Sequence, residues 1–387
     1  MGLSADDVSK RLADTFWEYW EQISGHYDTN SVVTSLPNFA ARHPDRAAVG
    51  AQANLAEHAK LLEKDSYIAQ SNIVEMARLD ETASFDDSLD LPEGASSTAS
   101  EQDVTLLIAQ GFELRNAGNY QGAVKRFDRA IAQDENYAKP FLYRGQTFIQ
   151  MREYDAAIKD FRQVLQLDPT NVRAWHGQGV AKAELKLYPS AVDSFDQAIA
   201  CEPNNDKIWY NRGRALLKLQ QYESALTSFD RAIELNKFRY HAWYSRALAQ
   251  AALEFVQPAI ESLEQATALK ASCHYAWNYR GTLLNRLFKH SEALESFQMS
   301  LEYRNPNPNA WYGLAATYAL LNDPDAASEH LRKAVQLNPN IYSLMARNDV
   351  SFDLVRDHPK IRPILCSSDE TISRRSLSQR AGQGETR

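Results

Sequence analysis

Cysteine is scarce in this chain: there are three in 387 residues, Cys201, Cys273 and Cys366. They are too few and too scattered for a disulfide framework or a zinc site. Long apolar runs are missing too, and no stretch approaches the roughly 20 consecutive apolar residues that a membrane-crossing helix needs. Residues 1–14 are acidic and polar rather than basic and then apolar. The sequence therefore predicts no secretory leader and points to a reducing, cytoplasmic setting. There is no glycine-rich phosphate loop, no nucleophile elbow and no zinc-ligand spacing, and the nine histidines lie apart. Catalysis, a metal and a cofactor are accordingly not expected. Nor is there an excess of positive charge. The formal charge is −8; residues 1–100 hold 17 acidic and 7 basic side chains, which leaves the rest of the chain at +2. Neutralising a nucleic-acid backbone takes a clear cation excess, so nucleic acid is not the expected partner.

What the chain does have is a period. Over 104–341 a pattern of small and aromatic residues returns every 34 residues without insertion, in seven copies: 104–137, 138–171, 172–205, 206–239, 240–273, 274–307 and 308–341. With each copy numbered 1 to 34, position 4 reads Leu107, Phe141, Trp175, Trp209, Trp243, Trp277, Trp311. Position 8 reads Gly111, Gly145, Gly179, Gly213, Ala247, Gly281, Ala315. Position 20 is always alanine, and position 24 reads Phe127, Phe161, Phe195, Phe229, Leu263, Phe297, Leu331. Small residues facing large ones are what two closely crossing helices need, because interiors pack to crystal density. Positions 4, 8 and 11 make one helical stripe and 20, 24 and 27 a second. Turn residues and prolines such as Pro169, Pro203 and Pro339 fall between them. Each copy is thus a helical hairpin that cannot bury both stripes alone, and the predicted fold is an all-α solenoid of stacked hairpins with position 4 in its core.

The third copy carries the pattern in full: Trp175, Gly179, Tyr188, Ala191, Phe195, Ala198 and Pro203. A 34-residue helix-turn-helix with these residues at 4, 8, 17, 20, 24, 27 and 32 resembles the tetratricopeptide repeat. The resemblance implies a right-handed superhelix whose first helices line a concave groove, with positions 2, 5, 9 and 12 or 13 facing it and position 6 at its edge. Those positions hold Lys139, Tyr143, Arg173, His176, Lys207, Tyr210, Asn211, Arg214, Lys218, His241, Tyr244, Tyr275, Asn278, Tyr279, Asn285 and Arg286. Cations, amides and tyrosines side by side suit an extended acidic or C-terminal peptide. The expected function is a protein-interaction scaffold or assembly adaptor working through this groove, centred on copies two to four. The alternative is an RNA-binding helical repeat using a basic stripe of Lys139, Arg173, Lys207, Arg214 and Arg286.

Two specialisations of the family do not fit. The carboxylate clamp for chaperone tails would need Lys, Asn, Asn, Lys and Arg where this chain has Leu142, Gln146, Gly177, Lys207 and Asn211. The asparagine ladder of the sugar-transferring relatives would need asparagine repeatedly at position 6, which here holds Tyr143, Gly177, Asn211, Ser245, Tyr279 and Gly313. Position 7, usually leucine in the family, holds Arg144, Arg212, Arg246 and Arg280. A charge beside a core must be paired or hydrated, and second-helix acids such as Asp160, Asp230 and Glu264 are the expected partners.

The flanks are of a different kind. Residues 1–79 read as helical, with an amphipathic stretch over 4–24, and form either a second contact or a segment that occludes the repeats. Residues 80–103 read as a flexible acidic linker, 342–365 as a capping helix in which Phe352, Leu354 and Ile361 cover the last copy, and 366–387 as a disordered tail.

Overall fold

A computed structural model describes residues 99–365 of the chain. The expected helices of 1–79, most of the acidic linker and the tail lie outside the described residues. Seven helical hairpins follow one another: α1 (Ala99–Asn116) with α2 (Tyr120–Gln133), α3 (Ala138–Gln150) with α4 (Tyr154–Leu167), α5 (Val172–Glu184) with α6 (Tyr188–Cys201), and α7 (Asp206–Lys218) with α8 (Tyr222–Leu235). The last three are α9 (Tyr240–Ala252) with α10 (Val256–Leu269), α11 (His274–Arg286) with α12 (His290–Tyr303), and α13 (Pro308–Leu320) with α14 (Pro324–Leu337). Each second helix packs on the first helix of the next hairpin, so stacking is unbroken from α1 to α14. Among the described residues no helix is long and apolar enough to cross a membrane.

The turn inside every hairpin is built the same way. Position 15 adopts a left-handed backbone in all seven, with φ of +78° at Gly118 and +56° to +62° at Arg152, Lys186, Gln220, Glu254, Phe288 and Asn322. This lets the amide of position 16 reach back to the carbonyl of position 11, as Leu187 does to Lys182 at 2.9 Å and Phe255 to Gln250 at 2.8 Å. The bond satisfies one of the carbonyls that a helix end leaves open.

The core explains the small residues. Phe127, Phe161, Phe195, Phe229 and Phe297 are fully buried, and each lies against the glycine at position 8 of its own hairpin. A Cβ on Gly213 would stand 2.6 Å from Phe229, and one on Gly179 would stand 2.5 Å from Phe195. The two hairpins that have leucine at position 24, Leu263 and Leu331, are the two that have alanine at position 8, Ala247 and Ala315. Volume removed from one side of the contact is returned on the other.

Three expectations need correction. The position-4 tryptophans are half-buried, not core. In four of the five the indole N–H reaches back to the turn before the hairpin: Trp175 donates to the Pro169 carbonyl at 2.9 Å, Trp209 to that of Pro203 at 2.8 Å, Trp243 to that of Lys237 at 2.9 Å and Trp277 to that of Ala271 at 2.8 Å. An indole with a polar end stays at the rim where that end finds a partner. The stretch read as linker over 80–103 is already helical from Ala99. The cap is not one helix: α15 (Pro339–Asn348) is followed by a 3-10 turn, Val350–Phe352, and further turns. Phe352 and Ile361 are buried as expected, but Leu354 is 71% exposed and Val355 takes its place.

Candidate functional site

Successive first helices touch one another, as α3 does α5 and α11 does α13, so they form a layer of their own. The second residue of each first helix sits in its opening turn. In α3, α5 and α7 that residue is Lys139, Arg173 and Lys207, all half-exposed. A recess of about 370 Å³ opens between the first two, lined by Leu142, Tyr143 and Val172 and by Asp168, Thr170 and Asn171 of the turn. Two carboxylates, Asp168 and Glu202, share it with the two cations. Asp168 accepts from the Thr170 hydroxyl at 2.8 Å and the Asn171 amide at 3.0 Å, bonds that hold its carboxyl below the usual range. Glu202 accepts from Asn205 at 3.3 Å.

The rest of the predicted groove divides in two. Arg214 and Lys218 lie one turn apart on α7, and Lys218 is exposed. Desolvation, with Arg214 and Lys186 close by, lowers the Lys218 pKa. Asn211 lies 2.8 Å from His176 Nε2. His176 is buried, and burial, with Lys207 nearby, pushes its pKa down to about 4. It is therefore neutral at pH 7, a hydrogen-bond acceptor rather than a cation.

The tyrosines are a correction. Tyr143, Tyr210, Tyr244, Tyr275 and Tyr279 are all buried, as is Asn278, so they fill the layer between first helices instead of presenting flat contact area. Tyr244 packs edge-on against Tyr275 with centroids 4.7 Å apart. Tyr210 lies beneath two guanidiniums, Arg214 at 5.7 Å and Arg239 at 5.6 Å. His241 stays half-exposed, its ring tilted by 32° against that of Tyr240 with centroids 3.8 Å apart. At the far end Asn285 donates to Thr317 at 2.8 Å and Arg286 is paired with Glu254. The structure thus places Lys139, Arg173 and Lys207 in the opening turns of three successive first helices, with Arg214 and Lys218 towards the other end of α7, and leaves Asn285 and Arg286 in local bonds elsewhere.

The position-7 arginines use the acids expected of them, in an arrangement the sequence reading did not draw. Arg246 donates to Asp230 of the preceding hairpin at 2.6 Å and to Ser262 of its own second helix at 2.8 Å, with its guanidinium 5.8 Å from the Trp243 ring. Arg212 repeats this with Asp196 and Ser228, and Arg280 with Glu264 and Ser296. Arg144 bridges Asp128 and Asp160. Each arginine therefore ties one hairpin to the next. The signal was present at position 25: Asp128, Asp196, Asp230 and Glu264 each precede a hairpin with arginine at position 7, whereas Arg162 and Gln298 precede Gln178 and Leu314.

Stacked hairpins of this kind, with a cationic first-helix layer and salt-bridged joints, define a helical-repeat protein. The chain contains tetratricopeptide repeats: models of the tetratricopeptide repeat match residues 142–206, 206–238 and 308–341. No curated protein matches the sequence. Among solved structures, the C-terminal part of a tetratricopeptide repeat-containing protein from Cytophaga hutchinsonii is 15% identical, with a TM-score of 0.51 over 64% of this chain and 99% of that one. YrrB, described as a tetratricopeptide repeat protein with an unusual peptide-binding site, is 23% identical with a TM-score of 0.43 over 48% and 95%. MamA from Desulfovibrio magneticus RS-1, from residue 41 to its end, is 24% identical with a TM-score of 0.41 over 43% and 94%.

Proposed function

We propose that this chain is a protein-interaction scaffold and that its working surface is the cationic stretch of α3, α5 and α7, which takes an extended acidic polypeptide. The observation that carries the reading is the row of Lys139, Arg173 and Lys207, one cation at the same register of three successive first helices, each half-exposed. Packed helices lie about 8 to 10 Å apart, so a ligand crossing the layer meets one cation per hairpin. Charge-assisted bonds from such a row favour carboxylates, and the exposed Lys218 extends the field. Because the tyrosines are buried, affinity comes from charge rather than from aromatic faces.

The test is fluorescence anisotropy with a labelled peptide of repeating Asp-Ala-Ala. Binding to the full chain should weaken at least tenfold in the pair Arg173→Glu and Lys207→Glu, and should fall with added salt. Binding that ignores both changes would overturn the reading. A single-stranded RNA oligonucleotide in the same assay tests the nucleic-acid alternative, for which a steep salt slope is the signature.

A further inference from the structure

Resting on that reading, we infer that the first occupant of the Lys139–Arg173–Lys207 row is the chain's own acidic stretch, residues 80–93, which competes there with any outside ligand. Three observations converge.

The first is charge. Residues 80–93 hold Asp80, Glu81, Asp86, Asp87, Asp90 and Glu93 and no basic residue, opposite in sign to the row. The second is spacing. A polyproline II strand has three residues per turn and rises about 3.1 Å per residue, so every third side chain points the same way at intervals of about 9 Å. That interval matches the separation of packed helices. Asp87, Asp90 and Glu93 stand at this spacing of three. Pro92 favours the conformation and restrains Leu91 before it to the extended region.

The third is reach. The described chain begins at Ala99, at the N-terminal end of α1. Lys139, Arg173 and Lys207 occupy the first turns of α3, α5 and α7, which is the same end of their hairpins. Six residue steps from Ala99 back to Glu93 span about 20 Å when extended. One hairpin spacing of about 10 Å, together with the extra turn of α1 before Thr105, fits inside that length. The register that follows sets Glu93 at Lys139, Asp90 at Arg173 and Asp87 at Lys207.

A tethered competitor acts at an effective concentration near the millimolar range. Against an intrinsic Kd of about 100 µM it weakens outside binding about tenfold. The experiment uses the full chain and the labelled Asp-Ala-Ala peptide. Neutralising the stretch (Asp87→Asn, Asp90→Asn, Glu93→Gln) should tighten binding about tenfold, and adding Lys139→Glu should remove the gain. A second variant, Ser88→Asp with Asp90→Ser, keeps the charge and breaks the spacing; it should tighten binding nearly as much. Equal affinity of the native and neutralised chains, with binding still lost on Arg173→Glu and Lys207→Glu, would overturn the internal competitor and leave the proposed function standing. A neutralised chain that binds the peptide without regard to the row would overturn both. Tightening by neutralisation but not by relocation would overturn the register.

Discussion

Replacing Gly213 with alanine tests the packing logic most directly. The new methyl would stand 2.6 Å from Phe229 Cε1 and 2.9 Å from Cδ1 and Cζ, where carbon atoms settle near 3.5 to 4.0 Å. Phe229 is fully enclosed, so relief needs a shift of about 1 Å in a packed core. Overpacking of that size costs about 1 to 3 kcal/mol, and the better helix propensity of alanine returns at most about 1 kcal/mol. Phe229→Leu alone should cost about 1 to 2 kcal/mol through the volume it removes. Together the two changes reproduce the pairing already present as Ala247 with Leu263 and Ala315 with Leu331. The double variant should therefore lie within about 1 kcal/mol of the native chain, a favourable coupling of roughly 2 kcal/mol in a double-mutant cycle. Repeat arrays need not unfold in one step, so hydrogen exchange of the α7 and α8 amides is the appropriate reading. Additive losses, with no rescue, would refute the claim that positions 8 and 24 share one volume.

Two further predictions concern charge. In a cycle of Asp230→Asn and Arg246→Leu the coupling should be about 0.5 to 1 kcal/mol and shrink in 1 M salt, since the pair is partly exposed; the same cycle at Arg162 and Gln178, which lack the acid, should show none. His176 has its folded pKa depressed to about 4 from 6.5, so its contribution to stability is complete above pH 6.5 and is lost as pH falls through 4, by up to roughly 3 kcal/mol. His176→Gln should flatten the acid limb of the stability profile, and an NMR titration midpoint near 6.5 would contradict its burial.

Much of the fold was legible because steric rules recur with the period. Positions 8, 20 and 24 make the same contact in each hairpin, so seven columns of letters report one geometry. The groove was less legible, because a helical face says which residues lie together but not how close the next helix comes. Tyr244 and Tyr279 share a face with Arg214 and His241, yet neighbouring first helices close over the tyrosines while the cations stay at the rim. Trp209 misled for a related reason. Its size suggested core, but its N–H had a carbonyl within reach at the turn, and that bond holds the ring at the edge.

Steric uniformity and chemical variation run along the same layer, and the proposed working stretch is where they differ. Hairpin seven is closed at position 5: Tyr312 is buried and donates to Asp349 of the cap at 2.5 Å, and Tyr342 of the cap reaches Asn309 at 2.7 Å. Hairpins five and six have their inner positions filled by Tyr244, Tyr275, Asn278 and Tyr279 packed on each other. Among the described residues, the stretch from α3 to α7 has a cation at position 2 of each of its three hairpins, with a recess between the first two. A partner guided by shape alone would find similar hairpins everywhere, whereas a partner guided by charge finds one register. That register holds only while the joints keep adjacent hairpins aligned; Arg212, paired with Asp196, ties hairpins three and four, while Arg144, paired with Asp128, ties the stretch to hairpin one. Cutting the Arg212 tie should therefore blur the charge row between Arg173 and Lys207 before it unfolds the core.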